Sequence, residues 1–344
     1  MYCPPCRPAV WSVPAAPVRG LATREDNDGI PDPNFRHCAA GGIDDARRRG
    51  ASEPTSVDLT RSVRRWLKAK WLRARKAYVC AFLSYDGVRL LAALREAGIR
   101  EGDSVMLHSA FDGTHGFRGS IEQLTRVFID AVGPDGHLLM VSMPYRSSAL
   151  DYVRKLKVFD VRNTPSMMGM VSEMFRRRTD VTRSMHPTHP VLIWGRHAGW
   201  FAEYDPSSRY PCGLGSPFEK LATVDGKVVF FNVGFEYYTF FHYLEHLVSD
   251  LLPFPLYTQE TFEVSNLDYL GESGKATTFV FAPEAIARRR IDILEAALRK
   301  RGQIQERRVG ASTVLVVRAQ DSVDCVMEMA GRGDFFYDVN DAPK

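Results

Sequence analysis

The sequence predicts an α/β protein: a single main domain with a mixed sheet flanked by helices, preceded by a largely disordered N-terminal extension. Three observations predict it. From about residue 84 onward, helical segments alternate with short apolar strands, and strands dominate later in the chain. Apolar residues make up 45% of the chain and charged residues 25%, enough for a sizeable buried core. Residues 1–58 are different in kind, rich in Pro, Gly, Arg and Asp with few periodic apolar positions. The predicted boundaries are a disordered tail over 1–58, a basic amphipathic helix over 59–80, a main domain over 81–335 and a C-terminal tail over 336–344.

The elements follow in order. In RSVRRWLKAKWLRARKAY, residues 61–78, Val63, Trp66, Leu67, Trp71 and Ala74 recur near helical spacing with Lys and Arg between them. This helix either docks on an anionic membrane surface or partner, or packs its tryptophans on the main domain or a second subunit. The packing reading is the simpler and is preferred. YDGVRLLAALREAGI is helical, with Leu90, Leu91 and Leu94 on one face. SVMLHSA (104–110) is a strand that ends in polar residues. SIEQLTRVFIDAVG (120–133) is a helix with Ser120 as N-cap and Gly133 as its stop. HLLMVSMP (137–144) is a strand. Residues 166–178 form a helix whose closing arginines suit the negative end of the helix dipole. VLIWG, KVVFFNVGF, TTFVFAP and TVLVVRA read as strands, and FFHYLEHLVSDLL and PEAIARRRIDILEAALRKRG as helices.

Charge and cysteine usage narrow the class. Residues 1–80 carry 15 Lys/Arg against 8 Asp/Glu, and the rest 30 against 33, so the basic character belongs to the extension. A mildly negative main domain suits a cationic ligand better than nucleic acid. The six cysteines are scattered and make no disulfide framework, and Cys3-Pro-Pro-Cys6 is a poor redox helix. No apolar run approaches the roughly 18–20 residues of a spanning helix, and the first residues carry no secretion pattern. A cytoplasmic location is the expectation.

Two stretches carry chemistry. FFHYLEHL (240–247) places His242, Glu245 and His246 together as H-x-x-E-H, which matches an inverted zinc-protease motif. A zinc hydrolase would also need a third ligand, and no downstream acid among Glu260, Glu263 and Glu272 stands out. The alternative is a core helix carrying histidines at its rim. RSMHPTHPVLIWG (183–195) sets His186 and His189 in a Pro-punctuated loop before a buried strand. YPCGLGSPFEKL (210–221) frees its backbone at Gly213 and Gly215 and opens a helix at Ser216.

In order along the chain, the stretches GDSVMLHSA (102–110), VGPDGHL (132–138), TPSMMG (164–169), RSMHPTH (183–189), GLGSP (213–217) and TFFHYLE (239–245) resemble the aminoglycoside 3-N-acetyltransferase family. The likeness spans about residues 84–335. It implies transfer of acetyl from acetyl-CoA to an amine of an aminoglycoside or related amino sugar, with no metal. His186 is then the expected base and Glu245 its orienting partner or an ammonium-binding acid, with His242 in support. The likeness, with helix-dipole reasoning, implies cofactor contacts at His108, Ser109, Ser166, Gly169, Gly215 and Ser216. Substrate contacts are implied at Asp112, His189, Tyr238 and Thr239. His108 and His189 could equally be structural, and Ser109 lacks the G-x-S-x-G setting of a nucleophile. Oxyanion donors are expected after strand 104–110 or near Ser216. The bulky run Phe235–Tyr238 is expected to narrow the amine pocket. The implied partner is a small-molecule amine, with a homodimer left open. A non-catalytic binding protein on the same fold is the other rival.

Overall fold

The computed structural model describes residues 56–338, apart from 113, 204, 206 and 207, with side chains from 66 onward. Most of the expected N-terminal tail, with Cys3, Cys6 and Cys38, lies outside the described residues. Helix α1 (Ser56–Phe82) leads into α2 (Gly87–Glu96), β1 (Ser104–Ser109), α3 (Ile121–Val132) and β2 (His137–Val141). Then come α4 (Ala149–Lys155), β3 (Val158–Asp160), α5 (Met170–Arg176), β4 (Val181–Arg183) and β5 (Val191–Trp194). They are followed by α6 (Ala198–Ala202), α7 (Pro217–Thr223), β6 (Lys227–Phe231) and α8 (Phe241–Leu247). The chain continues with β7 (Phe262–Leu267), β8 (Ser273–Thr278), α9 (Pro283–Ala287), α10 (Ile291–Lys300), β9 (Ile304–Val309), β10 (Ser312–Arg318) and α11 (Ala319–Gly331).

A 7-stranded mixed sheet runs β4-β5-β2-β1-β6-β10-β9. Its centre is parallel: β1 pairs with β2 and β6, aligning Val105 with Leu138 and Lys227. The outer strands run antiparallel. Both faces are covered, so the central strands read as continuous apolar runs. Side chains alternate across them. Met106, Leu139, Val228 and Phe230 pack into one core layer, and Val105, Leu107, Leu138 and Val229 into the other. A smaller 3-stranded sheet, β3-β7-β8, closes over Phe159, Val264 and Val280.

Local signals placed several elements well. Ser120 caps α3 with a reciprocal Gln123 contact, and Gly133 ends it at φ 70°. Four expectations need correction. The helix expected over 166–178 starts only at Met170, because Gly169 at φ 108° cannot sit inside a helix. The strand expected at TTFVFAP is displaced toward the N-terminus, as β8, where it pairs with β7. The helix expected from Pro283 breaks into α9 and α10 around Arg289, which bridges to Tyr337. Phe336 and Tyr337, assigned to a C-terminal tail, are buried in the core.

Helix α1 forms, but its tryptophans do not pack on the main domain. Trp66 and Trp71 are 56% and 60% exposed, whereas Val79 is buried near Gly116 and anchors the helix end. Among the described residues, no helix is long and apolar enough to cross a membrane.

Candidate active site

The carboxyl ends of parallel strands are where α/β sheets open a crevice. Here the ends of β1 and β2 and the segment after β6 border a cleft of about 380 Å³. His108, Ser109, Met140, Gly169, Tyr237 and Thr239 are among its lining residues. A side chain added at Gly169 would meet nothing within 4 Å, so the backbone there is open to a ligand. His108 projects from the end of β1 against Phe230, and its Nε2 lies 3.3 Å from Thr239 Oγ1. Burial, with a smaller contribution from nearby His242, pushes its pKa down to about 3, so the ring is neutral.

Near His108, one of the residues lining this cleft, α8 builds an ionic relay. Three residues apart on a helix, His242 and Glu245 share one face, and His242 Nδ1 lies 2.8 Å from Glu245 Oε2. Arg289 donates from Nε to Oε1 at 2.6 Å and from Nη2 to Oε2 at 2.8 Å, a fork matched to the carboxylate. The Tyr337 hydroxyl donates to Oε1 as well. Glu245 is fully buried. Burial raises its pKa, but Arg289 and His242 outweigh that and hold it below the usual carboxylate range. His242 titrates below its ordinary value because burial and the Arg289 charge together exceed the opposing pull of Glu245. Its Nδ1 faces the carboxylate, and among the described residues its Nε2 has no hydrogen-bond partner and is not sealed from solvent. Phe281 lies against two of the three partners of Glu245, 4.9 Å from the His242 ring and 4.9 Å from the Arg289 guanidinium.

The expected pairing of His186 with Glu245 is corrected: the carboxylate belongs to His242. His186 is buried, and its Nδ1 accepts from Thr188 N at 3.3 Å and His189 N at 3.2 Å. Its Nε2 lies 3.1 Å from Thr278 Oγ1. Burial drives its pKa to about 3. This ring orders the loop. His189 stands edge-on to His242 at 5.5 Å, with its Nε2 3.2 Å from the Tyr145 hydroxyl. Burial, followed by the charges of His242, His186 and Arg289, lowers its pKa well below the normal value.

The remaining expectations divide. His108, Ser109, Gly169 and Thr239 line the cleft together. Ser166 does not join them: it is buried, bonded to Ser172 Oγ at 2.9 Å, while its N–H donates to Glu173. Gly215 and Ser216 line a separate cavity of about 20 Å³ beside His186, too small for a nucleotide. Tyr238 does not line the cleft with them; it is 1% exposed with its hydroxyl 2.7 Å from Ser322. Of the aromatic run, Phe235 also enters the core, and Tyr237 faces the cleft. Asp112 binds its own turn through Thr114 and His115. Two expected oxyanion donors are occupied, since Ala110 N bonds Phe231 O and Ser216 N bonds Gly213 O.

The geometry gives a zinc site no support. Both Glu245 oxygens face a guanidinium, and His246 Nδ1 bonds the Tyr257 hydroxyl at 3.0 Å. His246 instead packs where Gly213 has no side chain, since a Cβ there would lie 2.8 Å from its Nε2. No cluster of three or more His, Cys, Asp or Glu suited to a metal occurs among the described residues. Arg289 and Tyr337 were missed by sequence reasoning. Nothing in the Arg288-Arg289-Arg290 run singled out Arg289, since three consecutive residues can share the polar face of one helix.

Comparison with known proteins agrees with this architecture. The family model for aminoglycoside 3-N-acetyltransferase matches residues 106–330. The SPbeta prophage-derived aminoglycoside N(3')-acetyltransferase-like protein YokD of Bacillus subtilis (strain 168) is 25% identical over 171 residues. That match covers 45% of this chain and 62% of YokD, so the chain spans less than two thirds of that relative. Aminoglycoside N(3)-acetyltransferase IV of Salmonella sp is 25% identical over 252 residues, 72% of this chain and 88% of that protein. A solved structure of AAC-IIIb in binary complex with CoASH superposes with a TM-score of 0.60 at 20% identity, covering 75% of this chain and 99% of that one. That structural likeness concerns the fold. With the family model matched across most of the main domain, the chain belongs to the aminoglycoside 3-N-acetyltransferase family.

Proposed function

We infer that this chain is an acetyl-CoA-dependent N-acetyltransferase acting on an amine of an aminoglycoside or related amino sugar. The observation that carries the reading is the His242–Glu245–Arg289 relay, close enough to the cleft residue His108 to act on its ring. Family membership and the CoASH complex of AAC-IIIb support the choice of co-substrate.

An ammonium group has no lone pair with which to attack a thioester, so it must first lose a proton. His242 is suited to take it. Its lowered pKa keeps the imidazole neutral near pH 7, and Nε2 is the free nitrogen. The ionised Glu245 fixes the tautomer through Nδ1 and stabilises the imidazolium once formed. Arg289 and the Tyr337 hydroxyl hold the carboxylate in place. Acetyl-CoA supplies an acetyl group activated as a thioester. His108, Ser109, Gly169 and Thr239 are the residues that would hold it, and the open space at Gly169 fits the close approach of such a ligand. A covalent route through Cys212 is disfavoured, because burial and the Glu245 charge keep the thiol protonated.

A thiol-release assay with acetyl-CoA and a panel of aminoglycosides and simpler amino sugars tests this directly. Release that depends on an amine is expected. If no amine draws release and CoA leaves the thermal midpoint unchanged, the enzyme reading gives way to a binding protein on the same fold.

A further inference from the structure

We propose that α1 is a docking helix for an anionic phospholipid surface. The argument begins with what the helix leaves uncovered. Trp66, Leu67, Trp71, Tyr78 and Phe82 are 53–73% exposed, and on a 3.6-residue period they fall within an arc of about 160°. Val79, the buried anchor, lies outside that arc, about 60° beyond Phe82. The apolar stripe from Trp66 to Phe82 therefore lies off the attachment point and runs about 24 Å along the helix.

Charge selects the occupant. Lys68, Lys70, Arg73, Arg75 and Lys76 fall between residues 66 and 82, and that interval has no acidic residue. Among the described residues, these five cations make no ion pair; Lys70 lies over Trp66 at 4.1 Å and Arg75 over Trp71 at 5.6 Å. Indole rings flanked by cations match the boundary between acyl chains and anionic headgroups. The same helix of a second copy is equally basic and offers no such match, and the main-domain carboxylates Glu173, Asp225 and Glu328 are engaged by neighbouring arginines. A globular partner would need an acidic strip as long as the helix, whereas an anionic bilayer presents one in any direction.

Docking through this stripe leaves the His242 relay untouched, so the proposal stands independently of the proposed chemistry. The test is flotation of the full chain with phosphatidylcholine vesicles, with and without phosphatidylglycerol. Binding to the anionic vesicles alone, released by added salt, is the expected result. Changing Lys68, Lys70, Arg73, Arg75 and Lys76 to Gln should weaken it by ~100-fold or more. Trp66→Ala with Trp71→Ala should weaken it by ~10-fold or more at unchanged charge. These residues are exposed, so the variants should fold with the parent's circular dichroism spectrum. Equal partition into both vesicle types, or none, overturns the proposal. So does a dimer lost in the double Trp variant, or retention on nucleic acid, without preference for anionic vesicles.

Discussion

The loop carrying His186 and the helix carrying His242 both bring an imidazole to the interior, yet they leave those rings in opposite conditions. In the loop, prolines fold the chain so tightly that both ring nitrogens of His186 are taken by Thr188, His189 and Thr278. On α8, one nitrogen of His242 is held by a carboxylate and the other has no hydrogen-bond partner among the described residues. The lesson concerns free valence. A histidine saturated by its own chain is a structural hydrogen-bonding group, and one oriented from behind can work as a base. A histidine between prolines draws the eye in a sequence; the quieter H-x-x-E spacing carries the arrangement suited to proton transfer.

The largest expected effect separates the two rings. His242→Ala should lower kcat by about 10²–10⁴-fold with KM for acetyl-CoA little changed. His186→Asn should cost stability and leave kcat within about tenfold in the folded fraction. The measurement is steady-state kinetics on variants checked for folding by circular dichroism. Full activity in His242→Ala, with loss in His186→Asn, would reverse the comparison.

Next in size is the support behind His242. Arg289→Ala leaves the Glu245 carboxylate buried without its guanidinium, a change that costs about 3–5 kcal/mol for a buried ion pair. Urea denaturation should read it as a fall in midpoint. Glu245→Gln should act on the pH profile as well. The carboxylate raises the His242 pKa, so its removal should move the acidic limb of kcat to lower pH while lowering the plateau. An acidic limb that stays in place would mean that another group takes the proton.

Much of the fold was legible because it rests on local patterns. The apolar runs of β1, β2, β5, β6 and β10 are what a sheet covered on both faces requires, and Ser120 and Gly133 announce the ends of α3. The strands β3, β4, β7 and β9 were not legible, and β8 was expected too far along the chain. β8 reads Ser-Gly-Lys-Ala-Thr-Thr and lies at a sheet edge, so its strand character comes from pairing rather than burial. In the site, the His242–Glu245 contact was readable from helical geometry alone, since residues three apart share a face. The proline-framed loop misdirected that reading toward His186. Arg289 and Tyr337, 44 and 92 residues from Glu245, meet it only through the tertiary fold.

A smaller effect follows from the buried rings. His108 and His186 titrate at about 3 in the fold against about 6.5 when exposed. Their folded values are depressed, so the unfolded chain binds more protons below pH 6.5. The stability they contribute is complete above that pH and is lost as pH falls toward 3. The slope is about 1.4 kcal/mol per pH unit for each ring. Thermal midpoints taken from pH 7 to pH 5 should fall, and less steeply in His186→Asn. An identical slope in that variant would show that His186 is protonated in the folded protein or freely solvated.

The smallest effect checks the other side of the cleft. Tyr238 follows the exposed, cleft-lining Tyr237, and sequence alone does not tell which of the two meets the substrate. Tyr238→Phe removes a buried hydroxyl and leaves Ser322 Oγ its bond to the Arg318 carbonyl, so it should cost about 1 kcal/mol in stability. Its KM for the amine should match that of the parent. Tyr237→Ala should leave stability nearly unchanged, because the ring is 58% exposed, and raise a KM, because it removes part of the cleft wall. The crossed pattern, one variant moving only the denaturation midpoint and the other only KM, is what separate core and cleft roles require. If instead Tyr238→Phe raises KM at unchanged stability, its hydroxyl reaches ligand, and the boundary drawn between core and cleft has to move by one residue.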